Sequence, residues 1–406
     1  MPDRKRVAVF FGGRSPEHDV SIITGLQALQ ALDSRIYDSF PVYVDFQGRW
    51  FTGDALRDRG NYMLTQGMID TLMPVTLDLS ARGRGRLIPK KTKLIGQYTA
   101  AEFDVALPAF HGLIGEDGPF QGLMDLANVP YTGMRTKASC VFMDKVATKH
   151  MLSGTCVPQL PFAVLNRSEE GTQVSKDRIE EVLKASKIKF PCIIKPAHLG
   201  SSIGVGKADK LEEARALLAE LFQFDFKAII EPCVENLEEY NIAIRKINGK
   251  VEYSAIERPK SKGELLDFKE KYMSGEGKSG QKSSGKIPGT ASQGMLSLTR
   301  DINPELPETM KTDIQNWAHQ IFERLDGSGC PRLDFLHDKK SGKSWFNELN
   351  PCPGSFGYFL WDALENPVYF PDLLHDLIEE AFMLHRKMQL PTDPTPEGAR
   401  LFPRRN

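Results

Sequence analysis

The chain has 406 residues and a formal net charge of −1, because 52 lysines and arginines balance 53 aspartates and glutamates. With 41% hydrophobic residues the composition excludes disordered and fibrous proteins, and the length predicts about two or three globular domains. Balanced charge creates no overall attraction for polyanions, which excludes nucleic acid and anionic membranes as partners unless a local basic cluster binds them. Small molecules are the expected partners.

Cysteine spacing and the N-terminal residues predict the cellular compartment. The six cysteines include no C-x-x-C pair, so they are expected to be reduced thiols rather than zinc ligands. The apolar run 7–11 is too short for a secretion signal, and no stretch approaches the roughly 18 apolar residues of a membrane span. The sequence therefore predicts a cytoplasmic protein without a membrane segment.

The first 45 residues predict a β–α–β unit. The run 7–11 is typical of a buried strand, Gly12 and Gly13 break it, and residues 20–32 have apolar side chains at helical spacing. An extended pattern follows over 36–45. Because parallel strands need a crossover connection, this order favours a parallel sheet with helices packed on it.

Two later segments combine a buried strand with a glycine-rich turn. The strand predicted at 103–109 leads to a turn that begins with His111, and the strand predicted at 190–195 leads to the small-residue loop 198–206. His111 could bind a substrate or only satisfy the backbone of its turn. Lys195, at the end of its strand, could hold phosphate oxygens with help from backbone N–H groups, or it could be a solvated strand-end lysine.

The pattern changes after residue 240. The dipeptide Asn248-Gly249 between two apolar runs predicts a tight hairpin, so antiparallel strands replace the earlier alternation of strand and helix. A second hairpin is predicted over 332–349. Between the two hairpins, the segment 258–294 is rich in lysine, serine and glycine and has no apolar face, which predicts either disorder or a lid over a site.

The second hairpin brings acidic residues together. If its register centres near residue 341, Asp334 faces Glu348 and Arg332 faces Asn350, with these side chains on one face. Opposed carboxylates destabilise a sheet unless a cation lies between them, and oxygen ligands of this kind suit Mg²⁺. The alternative is a solvent-facing hairpin in which Arg332 neutralises one acid.

Two basic segments have simpler interpretations. The cluster over 82–93 could bind phosphate or nucleic acid, but its alternating glycines favour a solvated hairpin tip. The segment 280–286 nearly matches a P-loop. However, Ile287 stands where Ser or Thr should bind Mg²⁺, and no buried strand precedes the segment, so the P-loop interpretation is rejected.

Several separated motifs occur together in a recognisable order. They are Phe11-Gly-Gly-Arg-Ser-Pro-Glu-His-Asp-Val-Ser21, His111-Gly-Leu-Ile-Gly-Glu-Asp-Gly118, Met143-Asp-Lys145, Ile194-Lys-Pro-Ala-His-Leu-Gly-Ser-Ser-Ile-Gly204, Ile230-Glu231, Glu239, Lys271-Tyr272, Arg332-Leu-Asp334 and Asn347-Glu-Leu-Asn350. The sequence carrying them resembles the D-alanine–D-alanine ligases of the ATP-grasp superfamily, over roughly residues 6 to 360.

This resemblance implies an α/β protein with the ATP-grasp fold. An N-terminal Rossmann-like parallel-sheet domain at 1–133 would be followed by two α+β subdomains, at 134–233 and 234–390, that sandwich ATP. The lid 258–294 and the Mg²⁺ site would belong to the last of these, and 391–406 would form a tail. A homodimer is the implied assembly.

The resemblance also implies roles for individual residues. The implied ATP-binding residues are Lys145, Lys195, Glu231, Glu239 and Lys271. Two Mg²⁺ or Mn²⁺ ions are implied on Asp334, Glu348 and Asn350. The implied catalytic residues are Glu17, Ser201, Tyr272 and Arg332, and the implied substrate-binding residues are His111 and Gly354.

The implied reaction joins two amino acids. ATP converts the carboxylate of the first into an acyl phosphate, which the amine of the second attacks, giving D-alanyl-D-alanine for peptidoglycan. The family usually has a Thr/Ser-rich stretch after Gly354 that holds the carboxylate of the second amino acid. Here 355–361 reads Ser-Phe-Gly-Tyr-Phe-Leu-Trp, which predicts an aromatic surface instead and leaves a related ligase with another acceptor as an alternative. A non-catalytic nucleotide-binding protein is less favoured, because the implied metal ligands are all present.

Overall fold

A computed structural model describes residues 4–62, 67, 72–80, 83–90, 101–169, 171–260, 300–390, 395, 396 and 399. The predicted lid beyond residue 260, with Lys271, Tyr272 and the segment 280–286, therefore lies outside the described residues, as does most of the predicted tail. None of the helices in the described ranges combines the length and the apolar composition that crossing a membrane requires.

The N-terminal part of the described chain forms a seven-stranded sheet. Its strands are β1 (Lys5–Gly12), β2 (Tyr37–Val44), β3 (Trp50–Thr52), β4 (Met73–Leu77), β5 (Gly85–Pro89), β6 (Ala101–Phe103) and β7 (Val105–Pro108), in the order β6-β5-β4-β3-β2-β1-β7. Helix α1 (His18–Ala31) connects β1 to β2, which pair in parallel, so the predicted β–α–β unit is confirmed.

This sheet is only partly parallel. β1 also pairs in parallel with β7, whereas the β3 to β6 strands extend the sheet through antiparallel pairs. Beyond β7, Tyr131 adds one isolated parallel bridge to Ala106. Helix α2 (Pro119–Ala127) ends just before this bridge, and the Asn128 backbone is left-handed.

The middle of the chain forms a four-stranded antiparallel sheet. Its elements are α3 (Thr136–Met143), α4 (Lys145–Met151), β8 (Ala163–Asn166), α5 (Lys176–Ala185), β9 (Cys192–Pro196), β10 (Gly206–Ala208), α6 (Leu211–Leu221) and β11 (Lys227–Pro232). The strand order is β10-β9-β11-β8. Apolar residues of α5 and α6, such as Ile179 and Leu218, pack with Ile194 and Ile230 of the sheet in one core. Because side chains alternate along a strand, Lys195 and Glu231, next to these residues in the chain, lie on the opposite face of the sheet.

The third sheet has five antiparallel strands and carries the predicted acidic hairpin. Its strands are β12 (Leu237–Ile247), β13 (Lys250–Pro259), β14 (Arg300–Ile302), β15 (Arg332–Asp338) and β16 (Lys343–Asn350), in the order β14-β13-β12-β15-β16. Asn248 and Gly249 have φ of 50° and 79°, the left-handed conformation that tight hairpin turns use, so the first predicted hairpin is confirmed. The last helices are α7 (Glu308–Glu323), α8 (Tyr358–Asp362) and α9 (Phe370–Met388).

Helix α9 brings the C-terminal part of the described chain back to the first sheet. Its apolar residues, such as Leu373 and Leu377, share a core with Val7, Val9 and Phe11 of β1. Glu380 on the same helix is 9% exposed and accepts a hydrogen bond from the Gly329 backbone N–H (2.7 Å). Burial raises the pKa of Glu380 to about 7, although this hydrogen bond and nearby arginines oppose the shift.

This raised pKa predicts that Glu380→Gln stabilises the fold at alkaline pH. The carboxyl group contributes stability while it is protonated, and that contribution is lost as pH rises through about 7. The free energy of unfolding of the variant, relative to the parent chain, should therefore rise by about 2 kcal/mol between about pH 5.5 and pH 8.5. Urea unfolding at both pH values measures this. Glu379→Gln at the neighbouring exposed position is the control, and an equal pH dependence in both variants would contradict the prediction.

Candidate active site

The acidic hairpin has the predicted facing residues. Asp334 pairs with Glu348, and Arg332 pairs with Asn350. The Arg332 guanidinium donates to both carboxylate oxygens of Asp334 (2.7 and 2.8 Å), and the Asn350 amide donates to one of them (3.1 Å). The pairing then shifts by one residue, because a bulge at Asn347 brings Phe335 opposite Phe346.

The hairpin has the chemistry of a divalent-cation site. Burial raises the pKa of Asp334, and the Glu348 charge raises it further, while Arg332 opposes both effects. Two facing carboxylates with an amide oxygen nearby are hard oxygen ligands, which fit Mg²⁺. Within the described ranges no group of three or more His, Cys, Asp and Glu side chains is arranged to hold a metal. A metal ion on the hairpin would therefore need the amide oxygen of Asn350 as a third side-chain ligand beside Asp334 and Glu348.

Lys145 extends from the middle of the chain to this hairpin. It is the first residue of α4, whose start is capped by the Asp144 carboxylate through the backbone N–H groups of Val146 and Ala147. The Lys145 ammonium donates to the Leu199 carbonyl (2.7 Å) and lies 3.1 Å from a Glu348 carboxylate oxygen. A cation is thereby held against the acidic hairpin.

Lys195 of β9 and Glu231 of β11 are diagonal neighbours on one face of the antiparallel pair, since Lys195 lies opposite Ile229 and Glu231 lies opposite Ile193. The Lys195 ammonium is 2.7 Å from Glu231 and donates to the Asn347 amide oxygen (2.8 Å). Lys149 contacts the other oxygen of Glu231 at 2.5 Å. Burial would raise the pKa of Glu231, but the two lysines outweigh it and lower the pKa to about 2. Glu239 faces the same group, since its charge helps to raise the pKa of Lys195.

Glu17 and Ser201 connect the first sheet to the loop after β9. The Ser201 hydroxyl donates to Glu17, although the two residues are far apart in the chain. A Cβ at Gly112 or Gly200 would lie within about 3.0 Å of the same Glu17 oxygen, so a larger residue at either position would displace the Glu17 carboxylate. Ser201 itself has a left-handed backbone, with φ of 53°.

His111 and the loop at Gly354 meet through Thr24. The Thr24 hydroxyl oxygen lies 2.8 Å from His111 Nε2 and accepts a hydrogen bond from the Ser355 backbone N–H (3.1 Å). Burial lowers the pKa of His111 to about 4, so the ring is neutral near pH 7. The residue following Gly354 also donates its hydroxyl to Gln27 (2.5 Å).

Residues 355–361 do not form the predicted aromatic surface. Phe356, Leu360 and Trp361 are buried in the core shared with α9. Trp361 packs under Arg245, whose guanidinium carbon lies 4.8 Å from the ring centroid, and Phe359 packs under Arg300 at 4.5 Å. The expectation was wrong because most of these apolar side chains join the first and third sheets instead of facing a cleft.

Sequence reasoning missed two charged residues. Lys149 pairs with Glu231, and its spacing of four residues from Lys145 on one helix was the available signal. Glu116 accepts hydrogen bonds from the Gly112 backbone (2.6 Å) and the Cys352 backbone (2.9 Å), so it joins the glycine-rich turn to the end of the hairpin. Burial, and then the Glu17 charge, raise the pKa of Glu116. The position of Glu116 inside a glycine-rich turn was the sequence feature from which it could have been predicted.

The basic segment 82–93 lies partly in a hairpin turn between β4 and β5, as its alternating glycines suggest. Arg84 pairs with Asp104 (2.8 Å) and Arg86 with Asp78 (3.7 Å). These arginines are already neutralised within the fold, which favours the interpretation as a solvated hairpin. Residues 82 and 91–93 lie outside the described part of the chain.

Comparison with solved structures identifies the fold. The D-alanine-D-alanine ligase of Coxiella burnetii superposes with a TM-score of 0.72 over 95% of each chain, at 22% identity. The VanG D-Ala:D-Ser ligase of Enterococcus faecalis has a TM-score of 0.71, covering 93% of this chain and 100% of that one, also at 22% identity. With its three sheets and the lysines facing an acidic hairpin, the protein has the ATP-grasp fold.

Sequence comparison identifies the family. The profile of the D-ala D-ala ligase N-terminus matches residues 6–134, and that of the C-terminus matches residues 151–379. The D-alanine–D-alanine ligase of Bacillus cytotoxicus is 31% identical, covering 95% of this chain and 97% of that protein. The ligase of Thermosipho africanus is 32% identical over 93% of each. The chain belongs to the D-alanine–D-alanine ligase family.

Proposed function

We propose that the protein is an ATP-dependent carboxylate–amine ligase that forms D-alanyl-D-alanine. The observation that carries this proposal is the contact of Lys145 with Glu348 and of Lys195 with Asn347, which brings two cations from the middle of the chain against the acidic hairpin. Such an arrangement suits a triphosphate placed between the two sheets. Family membership supplies the amino-acid substrates.

In the proposed first step, the carboxylate of one D-alanine attacks the γ-phosphorus of ATP, forming an acyl phosphate and releasing ADP. Lys145 and Lys195 offset the phosphate charges, Glu231 and Glu239 bind the nucleoside, and Arg332 stabilises charge that develops on the transferred group. Lys271 would contact the γ-phosphate. Asp334, Glu348 and Asn350 would hold two Mg²⁺ ions, which when bound neutralise the triphosphate.

In the proposed second step, the neutral amine of another D-alanine attacks the acyl carbon, and the tetrahedral intermediate expels phosphate to leave a peptide bond. Glu17, with Ser201, positions the first amino acid, and Tyr272 closes the site with them. Neutral His111 lies beside the first substrate, and Gly354 contacts the second. Because acyl phosphates hydrolyse, the predicted lid 258–294 would exclude water during both steps.

The test is phosphate release from ATP and Mg²⁺ with D-alanine alone, with products identified by mass. We expect D-alanyl-D-alanine in a one-to-one ratio with phosphate. Phosphate release without a dipeptide, or no turnover at all, would contradict the proposal. Assembly as a homodimer, the cytoplasmic location and the division at 134 and 234 stay predictions, which light scattering, fractionation and limited proteolysis can test.

A second candidate is the same reaction with another acceptor. The Ser355 hydroxyl donates to Gln27, and the Arg300 guanidinium covers Phe359, so this hydroxyl is already used within the fold instead of being available to the carboxylate of a second amino acid. Adding a panel of amines and hydroxy acids to the assay with D-alanine tests this. A mixed product formed faster than D-alanyl-D-alanine would establish the second candidate.

A further inference from the structure

The loop that carries Ser201 is fastened to the start of helix α4 at two points. The Lys145 backbone N–H donates to the Ala197 carbonyl (3.0 Å), and the Lys145 ammonium donates to the Leu199 carbonyl (2.7 Å). His198 lies between these two acceptors in the chain. The same contacts therefore hold both Lys145, which is proposed to bind ATP phosphate, and the loop of Ser201, which is proposed to position the first amino acid.

The imidazole of His198 bridges two carboxylates. Its Nδ1 lies 2.9 Å from Asp225, and its Nε2 lies 3.3 Å from Asp144. The ring stacks on Phe226, with 4.7 Å between centroids, and the His198 backbone N–H donates to Asp225 (2.8 Å). Because a neutral imidazole has only one N–H, both ring nitrogens can donate only when the ring is protonated.

One of these carboxylates determines the position of Lys145. Asp144 caps α4 by accepting hydrogen bonds from the backbone N–H groups of Val146 and Ala147 (2.8 and 3.0 Å). It also accepts from the Lys227 ammonium (2.8 Å). Because Lys227 and His198 both contact the Asp144 carboxylate, this cap cannot rotate freely. The start of α4 is therefore fixed, and with it the direction of the Lys145 side chain.

The charges around His198 favour its protonated form. Burial would lower the pKa of His198, but the hydrogen bonds with Asp144 and Asp225 outweigh it and raise the pKa to about 9. The same contacts hold the pKa of both carboxyls below their usual values in spite of burial. The Asp117 charge from the glycine-rich turn also acts on the ring, and Lys227 contacts the same Asp144 oxygen as His198 Nε2.

We propose that His198 is a positioning residue, which as an imidazolium holds the helix start with Lys145 and the loop with Ser201 in one arrangement. This inference rests on the proposed function, because it assigns His198 to the same site. His198 touches neither ATP nor amino acid in this scheme and acts through Asp144 and the loop backbone.

The test compares MgATP affinity, measured by titration calorimetry, in the parent chain, His198→Asn and His198→Arg. At about pH 7.5 we expect His198→Asn to bind MgATP about 10- to 100-fold more weakly, with a matching rise in KM for ATP, while His198→Arg stays close to the parent. Between about pH 7.5 and pH 9.5 the parent should lose about threefold in affinity as the imidazolium deprotonates, whereas His198→Arg should not. His319→Asn, on the exposed side of α7, is the control for losing a histidine.

The outcomes separate the inference from the function on which it rests. A parent chain that binds no MgATP would overturn both. Parent-like binding by His198→Asn, or identical pH profiles for the parent and His198→Arg, would overturn the role of His198 alone. If His198→Asn fails to fold by circular dichroism, the comparison of pH profiles between the parent and His198→Arg still decides the matter.

Discussion

Replacing Glu348 by glutamine is expected to lower kcat for dipeptide formation by at least about a thousandfold. Glutamine keeps an oxygen that can accept from Lys145, which lies 3.1 Å from the carboxylate, so the lysine is held in place while one negative charge is lost. Removing that charge should weaken Mg²⁺ binding at the proposed site opposite Asp334, and charge stabilisation by a metal ion at a transferring phosphoryl group is worth several kcal/mol. Phosphate release at increasing Mg²⁺ concentrations measures both the loss and any partial recovery.

The matched control for this variant is Asp338→Asn in the turn of the same hairpin. Asp338 is half-buried and accepts hydrogen bonds from the Lys340 backbone and the Ser341 hydroxyl, away from the facing carboxylates, so a small loss of stability and nearly normal turnover are expected. Near-normal turnover by Glu348→Gln at about 1 mM Mg²⁺ would show that the hairpin carboxylates do not hold the metal ions.

The hairpin shows what the sequence could predict. Its register follows from the position of the turn and the alternation of side chains, and both facing pairs, Asp334 with Glu348 and Arg332 with Asn350, are confirmed. The bulge at Asn347 was missed, although the sequence carries a signal for it: Phe346 and Leu349 are three residues apart and are buried in the same core, which strict alternation of side chains would not allow. That bulge presents Asn347 to Lys195, so the missed irregularity is part of the site.

Contacts between distant segments explain most of the remaining misses. Sequence spacing indicates that Lys145 and Lys149 share a helix, but only the fold shows that Glu231 lies between Lys149 and Lys195. The burial of Trp361 was missed for the same reason, since its neighbours come from α9 and β12, and local composition does not reveal them. The motif resemblance assigned residues to a common site, but it did not show which neighbouring residues hold them in position. His198, which contacts Asp144, is one such neighbour.

The ion pairs of Glu231 with Lys149 and Lys195 hold Lys195 in position before ATP binds. Glu231 is almost completely buried between two ammonium groups, and a buried carboxylate is tolerated only when it is paired. Its pKa of about 2 keeps it ionised at neutral pH. Lys195 is thereby fixed on the side of the acidic hairpin, with little side-chain freedom left to lose on binding phosphate.

Replacing Lys195 by methionine is expected to weaken MgATP binding at least about 100-fold and to lower the free energy of unfolding by about 3 kcal/mol. Binding should weaken because the proposed phosphate ligand is removed, and stability should fall because Glu231 loses one of its two cations while it remains buried. Titration calorimetry and urea unfolding measure the two effects. Lys149→Met is the matched control, because it also removes one of the two cations of Glu231 but no proposed phosphate ligand: stability should fall by a similar amount, while affinity for MgATP stays much closer to that of the parent chain. If both variants lost affinity equally, Lys195 would be a structural partner of Glu231 rather than a phosphate ligand.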